Sequence, residues 1–325
     1  MRFGSSGSPT GVSVVEPDTT GQAAPVCACC TEPAVIYQPE SHRHLCCTHL
    51  ISDVEERVAG TIRETGQIHA GDRIAVALSG GKDSTALLLI LSRLFNEQQE
   101  VSLVAITVDE GIAGYRTETV RAAQDLTREL GVEHHVIPFS ALAGADLDML
   151  LVGREKQACT VCGILRRKAL IDAARAACAT KIATGHNLDD EAQSVFMNVL
   201  RGDLPRLIRD TGAGSMDCFL PRIKPLADIY EKEIASYLFV QGRFAVLPEC
   251  PYTPYALRAE VRSMLSSLEY RYPGTMRHLI ESKGKIAKYC AGARAPGTLN
   301  RCRECGDPCS GEICQVCRLR HSLGH

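Results

Sequence analysis

Arg73-Ile74-Ala75-Val76-Ala77-Leu78-Ser79-Gly80-Gly81-Lys82-Asp83-Ser84 is a β-rich run feeding straight into a Ser-Gly-Gly-x-Asp-Ser turn, and an apolar helical pattern follows from Thr85. A helix opened by such a turn leaves several backbone N–H groups without intrahelical partners, and its dipole favours an anion there. Gly80 and Gly81 let the backbone approach a phosphate chain, and Ser79 and Ser84 add hydroxyl donors. A Walker A loop, Gly-x-x-x-x-Gly-Lys-Ser/Thr, is the rival reading. It fails twice, because Val76 stands at its first glycine and Asp83 follows Lys82. A bare Gly-Gly turn is the structural alternative, but strand-turn-helix is the setting a phosphate loop requires.

Outward from this junction, β-rich runs alternate with helical patterns across residues 72–254. Strands are expected at Arg73–Leu78, Val101–Val108, Val132–Pro138, Lys181–Thr184 and Arg243–Leu247. Helices are expected near Asp83–Phe95, Thr117–Leu130, Ile164–Ala177, Asp189–Leu200 and Asp228–Val240. This alternation predicts an α/β fold with a doubly wound parallel sheet and its ligand at the strands' carboxyl ends. The turns at Ser79–Lys82, Asp109–Gly114 and Gly185–Asn187 all follow strands, so they should meet at one edge. Residues 1–25, rich in Gly, Ser, Thr and Pro, read as a disordered tail. Residues 26–50 form a cysteine/histidine module, 51–71 a helical linker, 255–295 a helical region and 296–325 a second cysteine module.

At 325 residues the chain holds one sizeable α/β domain plus small modules. Its net charge of −2 argues against a protein that coats nucleic acid generally. The charge is uneven, however: from residue 271 onward ten Lys/Arg face four Asp/Glu, and basic clusters stand at Arg166-Arg167-Lys168 and at Arg201, Arg206 and Arg209. Localised basic surface fits a structured RNA partner; on charge alone a solvated basic face fits equally. The sequence has no secretory pattern and no apolar run long enough to span a membrane, which predicts a cytoplasmic protein.

Sixteen cysteines are unusual, and in a reducing compartment paired Cys-x-x-Cys motifs point to metal or sulfur chemistry more often than to disulfides. Cys302-x-x-Cys305 and Cys314-x-x-Cys317, eight residues apart, offer four thiolates in the pattern of a structural zinc site, with Cys309 a bystander in the connecting turn. Cys27-x-x-Cys30, then fifteen residues, then Cys46-x-x-His49 fits a second zinc knuckle pair. Cys29, Cys47, His42 and His44 are competing ligands there. A third pair, Cys159-x-x-Cys162-Gly163, lies within the α/β domain just before the helix expected to carry Arg166 and Arg167. Cys250 follows the strand expected at Arg243–Leu247, near the ligand edge. Three thiolates around a cubane cluster would leave one iron open to an extra sulfur. A disulfide or persulfide pair fits the spacing as well, and so do structural thiols.

The Ser79–Ser84 turn resembles the PP-loop of enzymes that split ATP between its α- and β-phosphates, which implies that AMP goes onto an acceptor and pyrophosphate leaves. Together with both cysteine modules, Asp109-Glu110-Gly111-Ile112, Cys159-x-x-Cys162-Gly163 and Gly185-His186-Asn187-Leu188-Asp189-Asp190-Glu191, it resembles the tRNA 2-thiouridine synthetases from Cys27 to Cys317. The resemblance implies that a uridine C2 oxygen is adenylated and AMP is then displaced by sulfur. It implies that Ser79, Gly80, Gly81, Lys82, Asp83 and Ser84 hold ATP phosphates, that Ala77 and Val108 border the adenosine, and that Gly185 closes the pocket. It makes Cys159, Cys162 and Cys250 ligands of a 4Fe-4S cluster, and Asp190 a catalytic aspartate that orients Mg2+ or the uridine. Asp189 and Glu191 have the weaker claim, since acids at a helix start are often dipole partners. His186 reads equally as functional or as a packed turn histidine.

Some members carry lysine where this chain has Arg166; arginine cannot shuttle protons, so charge stabilisation of phosphates or RNA is its expected role. The segment Asn198–Leu207 is similar to the branch that thiolates the anticodon wobble uridine rather than the T-loop uridine. The implied partners are tRNA, a ubiquitin-like thiocarboxylate sulfur carrier or inorganic sulfide, and a second copy in a homodimer. Rival readings are a tRNA 2-thiocytidine synthetase, a PP-loop amidotransferase, which leaves Cys159 and Cys162 without a role, and a zinc-module RNA-binding protein with a relict nucleotide fold.

Overall fold

The computed structural model describes residues 25–95, 100–209, 220–253, 257–290 and 300–323. Residues 1–24 of the expected N-terminal tail and Cys218 lie outside them, as does the side chain of Arg209. The chain divides into two compact units, Met1–His49 and Leu50–His325. In the first, β1 (Ile36–Gln38) and β2 (Arg43–Leu45) pair antiparallel with Ile36 opposite Leu45. Helix α1 (Cys47–Thr65) starts at the end of that unit, and its part in the second unit buries Leu50, Val54, Val58 and Ile62, one residue per turn on a single face.

The second unit is built on a parallel sheet of β3 (Arg73–Ala77), β4 (Ser102–Asp109), β5 (Glu133–Pro138), β6 (Lys181–Ala183) and β7 (Arg222–Ile223), in the order β5-β4-β3-β6-β7. Ile74–Val76 and Val104–Ile106 are buried throughout, the continuous apolar pattern of strands covered on both faces. The chain winds outward from β3 through β4 to β5, then returns to lay β6 on β3's other side, pairing Ala75 with Ile182. The strand order therefore reverses between β3 and β6, and a doubly wound sheet opens its ligand crevice at that point.

Helices α2 (Lys82–Phe95) and α3 (Arg116–Leu130) follow β3 and β4. After β5 come α4 (Phe139–Ala143), α5 (Leu147–Leu150), a 3-10 turn at Glu155–Gln157, and α6 (Ala158–Ala176). Helix α6 covers one face of the sheet, packing Val161, Leu165, Ala169 and Ala173 with Ala75, Val104, Ile106 and Ile182. Helix α7 (Leu188–Leu200) follows β6, then α8 (Leu204–Arg209). After β7 come α9 (Glu231–Phe239), α10 (Leu257–Arg271) and α11 (Thr275–Tyr289). Leu188, Ala192 and Met197 of α7 form a second apolar cluster with Val261, Leu265 and Met276. The C-terminal ribbon, β8 (Asn300–Arg301), β9 (Pro308–Cys309) and α12 (Gln315–Leu323), is anchored by Lys168–Asp307 at 2.7 Å and puts Cys302, Cys314 and Cys317 into the main core.

Two expectations are corrected. Arg243–Leu247 is not a strand: Arg243 N–H donates to Leu238 O at 2.9 Å, its guanidinium pairs with Glu129, and Val246 is 90% exposed. The segment follows the Val240 cap of α9 instead of entering the sheet, and the fifth strand is the two-residue β7, with Ile182 opposite Arg222. Cys159 and Cys162 lie inside α6, in its first two turns, not ahead of the helix.

Candidate active site at the switch point of the sheet

The phosphate loop closes on itself before it meets any ligand. Gly80 has φ +85°, and a Cβ there would lie 2.0 Å from the Thr119 carbonyl oxygen, so both backbone conformation and proximity demand glycine. Ser84 Oγ donates to Gly81 O at 2.9 Å, accepts the Ser79 N–H at 3.1 Å, and lies 3.0 Å from Ser79 Oγ. The serine hydroxyls thus shape the loop, and the start of α2 leaves the backbone N–H groups to face an anion. Lys82 Nζ bridges Asp83 at 3.0 Å and Glu231 at 2.7 Å, and Arg262 reaches Glu231 at 3.6 Å. Burial works against the Lys82 charge, but the two carboxylates overcome it and hold the ammonium above its ordinary range.

The turn after β6 lies directly against this loop. A Cβ on Gly185 would be 3.0 Å from backbone atoms of Asp83 and Ser84, and Asn187 Nδ2 donates to Asp83 Oδ1 at 3.0 Å. Asn187 also caps α7: its Oδ1 accepts the Asp190 N–H at 2.9 Å while Asp190 Oδ2 accepts the Asn187 N–H at 3.4 Å, a capping box. Asp190 is further held by Arg258 at 3.2 Å, and Arg258 also donates to Ser194 Oγ at 3.3 Å. Asp189 accepts the Glu231 N–H at 2.8 Å, and burial pushes its carboxyl up to about 6. Glu191 pairs with Lys224 at 2.8 Å, and exposed His186 shares a 2.9 Å hydrogen bond with Thr184.

At the neighbouring strand end, Ala77 ends β3 and Val108 is the penultimate residue of β4, and the turn after β4 reaches towards Cys162 through Glu110 and Arg166. Arg116 donates to Ser79 O at 3.0 Å, to Thr119 Oγ1 at 2.9 Å and to the Val108 carbonyl. Its Nε lies 2.7 Å from Glu110 Oε2, an ionic contact whose N–H does not aim along the bond. Glu110 Oε1 lies 2.7 Å from Arg166 Nε, and Arg166 Nη2 donates to Cys162 Sγ at 3.1 Å. Arg166 is thus committed to Glu110 and Cys162. Asp148 accepts from Ala113 N at 2.9 Å and from Tyr252 OH at 2.8 Å, tying the Cys250 segment to the same turn.

Cys159 is exposed, Cys162 buried and Cys250 half-buried. Burial pushes the Cys162 thiol up, partly offset by Arg166, and the charge of Cys250 adds to the rise. Burial likewise raises Cys250, and the charge of Cys159 contributes, so Cys250 lies within electrostatic reach of both other thiols. They are set wider than a single-ion site, since the sets with all ligand atoms within 4.8 Å among the described residues are the two terminal quartets. A cubane carries its cysteines on separate irons and needs that wider spacing.

The quartets have single-ion geometry. A tetrahedron with metal–sulfur bonds of about 2.3 Å has sulfur–sulfur edges of about 3.8 Å; Cys302–Cys317 measures 3.8 Å and Cys305–Cys314 3.6 Å. Backbone N–H groups of Cys305 and Cys314 hold the Cys302 thiol down to about 6, favouring the thiolate a metal needs. In the N-terminal unit Cys30–Cys46 is 3.7 Å, and His49 Nδ1 lies 3.3–3.5 Å from Cys27, Cys30 and Cys46. Cys29 and Cys47 are exposed and outside this set.

Arg167 of α6 feels the positive charge of Arg206 of α8 in addition to partial burial, and both lower its proton affinity. Two cations within electrostatic reach of each other are suited to an anionic backbone. Sequence reasoning missed Arg116, Arg258 and Glu231. Only Arg116 carried a local signal, as a cation at a helix start where an acid is favoured.

A Ser-Gly-Gly-x-Asp-Ser loop at the switch point of a doubly wound sheet fits a PP-loop protein, and the PP-loop domain family matches residues 51–247. The tRNA 2-thiolation protein NcsA of Haloferax volcanii is 35% identical over 316 residues, which cover 91% of this chain and 98% of that protein. Cytoplasmic tRNA 2-thiolation protein 1 of Aspergillus niger is 35% identical over 306 residues, covering 92% and 89%. The solved structure of U34-tRNA thiolase NcsA from Methanococcus maripaludis with its 4Fe-4S cluster superposes with a TM-score of 0.80 at 30% identity, over 92% of this chain and 97% of that one. The chain belongs to this PP-loop tRNA 2-thiolation family. Among the described residues, no helix is long and apolar enough to cross a membrane.

Proposed function

We propose that the chain is an ATP-dependent tRNA thiolase that replaces the C2 oxygen of the anticodon wobble uridine with sulfur. The observation that supports this reading is the run of contacts that joins the phosphate loop to the Asp190 turn through Asn187 and Asp83, and to Cys162 through Arg116, Glu110 and Arg166. ATP enters with Mg2+, its phosphates on the backbone N–H groups at the start of α2 and on Lys82, which must then exchange Glu231 for phosphate oxygens. The uridine C2 oxygen attacks the α-phosphorus and pyrophosphate leaves. A uracil carbonyl oxygen departs poorly, and AMP makes it a good leaving group. Sulfur then attacks C2, the C2–O bond breaks, and AMP departs with the former uridine oxygen.

Cys159, Cys162 and Cys250 hold a 4Fe-4S cluster, which when bound supplies an iron with an open position for the incoming sulfur. Asp190, fixed by Asn187 and Arg258, orients Mg2+ or the uridine. Arg167 and Arg206 meet the tRNA backbone, and the base is splayed into the crevice as single-stranded RNA recognition requires. The terminal quartets hold structural zinc, which the near-tetrahedral sulfur edges support. Sulfur comes from a thiocarboxylate carrier or inorganic sulfide, and the chain works as a homodimer in the cytoplasm, the setting named for the fungal relative.

The wobble position is favoured by the U34 thiolase likeness and by the Asn198–Leu207 segment. The test is the nucleoside content of tRNA from a strain lacking the gene. Wobble 2-thiouridine should disappear; if it is unchanged the function is wrong, and loss of the T-loop thiouridine instead would move the chain to the neighbouring branch.

A further inference from the structure

Glu110, in the turn after β4, is 2% exposed and lies between two arginines that contact different halves of the site. One is Arg116, 3% exposed, which grips the phosphate loop through the Ser79 carbonyl. The other is Arg166, half-exposed, which donates to Cys162 Sγ. A buried carboxylate flanked by two guanidinium groups is a costly arrangement unless both partners stay in place, so movement of one arginine disturbs the other. The contacts run unbroken from Ser79 O through Arg116, Glu110 and Arg166 to Cys162 Sγ, with steps of 3.0, 2.7, 2.7 and 3.1 Å.

We infer that Glu110 is a positioning residue that couples the phosphate loop to the sulfur-handling cysteines, so that each half of the site responds to the state of the other. The inference rests on the thiolase reading for what the cysteines do, but the coupling is a property of the side-chain chain itself. It predicts that Arg166, whose contacts are with Glu110 and Cys162, nevertheless influences nucleotide binding. It also predicts reciprocity, because a coupling between two sites acts equally in both directions.

The test is a double-mutant cycle on the full-length chain, reading the affinity for a non-hydrolysable ATP analogue by calorimetry, with no tRNA and no cluster needed. Arg166→Gln, at a half-exposed position, keeps Arg116 beside Glu110 and should weaken the analogue by roughly 5-fold or more, the lower end of measured inter-site couplings. Glu110→Gln should weaken it at least as much, and the double variant should bind no worse than Glu110→Gln alone, because both substitutions cut the same chain. Wild-type affinity in Arg166→Gln, or additive losses in the double variant, would overturn the coupling. Should Glu110→Gln fail to fold, the single Arg166→Gln result still decides between the two. Absence of 2-thiouridine synthesis by the wild type would instead strike the thiolase reading and leave this cycle untouched.

Discussion

Replacing Gly185 with alanine tests how closely two turns must meet for this chain to bind ATP. The new Cβ would sit 3.0 Å from the Asp83 backbone carbon, 3.0 Å from the Ser84 nitrogen and 3.1 Å from the Asp83 carbonyl oxygen. Comfortable carbon contacts begin at about 3.5 Å, so the turn and the loop must part by roughly half an ångström. All three neighbours are backbone atoms at the start of α2, so no side chain can swing aside. Overpacking of this kind costs about 1–3 kcal/mol. The parting also stretches the 3.0 Å Asn187–Asp83 hydrogen bond, a contact to a charged group worth about 1.5–3 kcal/mol.

Some of that cost falls on the folded state and some on the loop geometry that receives phosphate. Affinity for an ATP analogue should therefore fall roughly 10- to 100-fold, equivalent to about 1.4–2.8 kcal/mol. Calorimetric titration gives the affinity, and urea unfolding followed by circular dichroism gives the stability. Gly60→Ala supplies the control: Gly60 lies within α1, and its added Cβ would meet nothing within 4 Å. That substitution should stabilise the helix by about 0.5–1 kcal/mol and leave affinity alone. A Gly185→Ala chain that binds the analogue as tightly as wild type would refute the reasoning.

Asp189 gives a pH prediction: with its carboxyl pushed up to about 6, the folded protein keeps a proton between about pH 4 and 6 that the unfolded chain releases. Stability from this group is therefore greatest below pH 4 and lost as pH rises through 6, so Asp189→Asn should gain on wild type by up to about 3 kcal/mol between pH 4 and 7; parallel urea midpoints across that range would contradict it. Elemental analysis should find two zinc ions per chain, and Cys305→Ser should retain one while destabilising a core that includes Cys302, Cys314 and Cys317; retention of both ions would remove the ribbon from the account. Cys159→Ala, at an exposed position, should keep nucleotide binding and lose sulfur transfer; a fully active variant would end the cluster assignment.

The turns were legible because each required an uncommon residue at a fixed place. Gly80 needs its positive φ, Gly185 its missing Cβ, and the cysteine pairs their two-residue gaps. The sheet was legible where strands were long and apolar, and it failed at β7, whose two residues carry no periodicity. Arg243–Leu247 has a strand-like composition, but only its tertiary setting shows that Arg243 folds back onto the end of α9. The helical placement of Cys159 and Cys162 did have a signal: Ala158, Val161, Cys162, Leu165 and Ala169 form a buried stripe at helical spacing, which the Cys-x-x-Cys-Gly motif disguised as a turn. The contacts of Glu231 with Lys82 and of Arg258 with Asp190 were not legible, because 149 and 68 residues separate the partners and no local pattern links them.

Isotope tracing tests the central chemistry most directly. tRNA whose target uridine carries oxygen-18 at C2 is incubated anaerobically with the reconstituted chain, ATP and sulfide, and the nucleotide products are weighed by mass spectrometry. If the crevice activates the carbonyl by adenylation, each 2-thiouridine formed releases one pyrophosphate and one AMP, and the heavy oxygen is found in the AMP phosphate. Heavy oxygen in water or pyrophosphate, or ADP as the nucleotide product, would contradict the account.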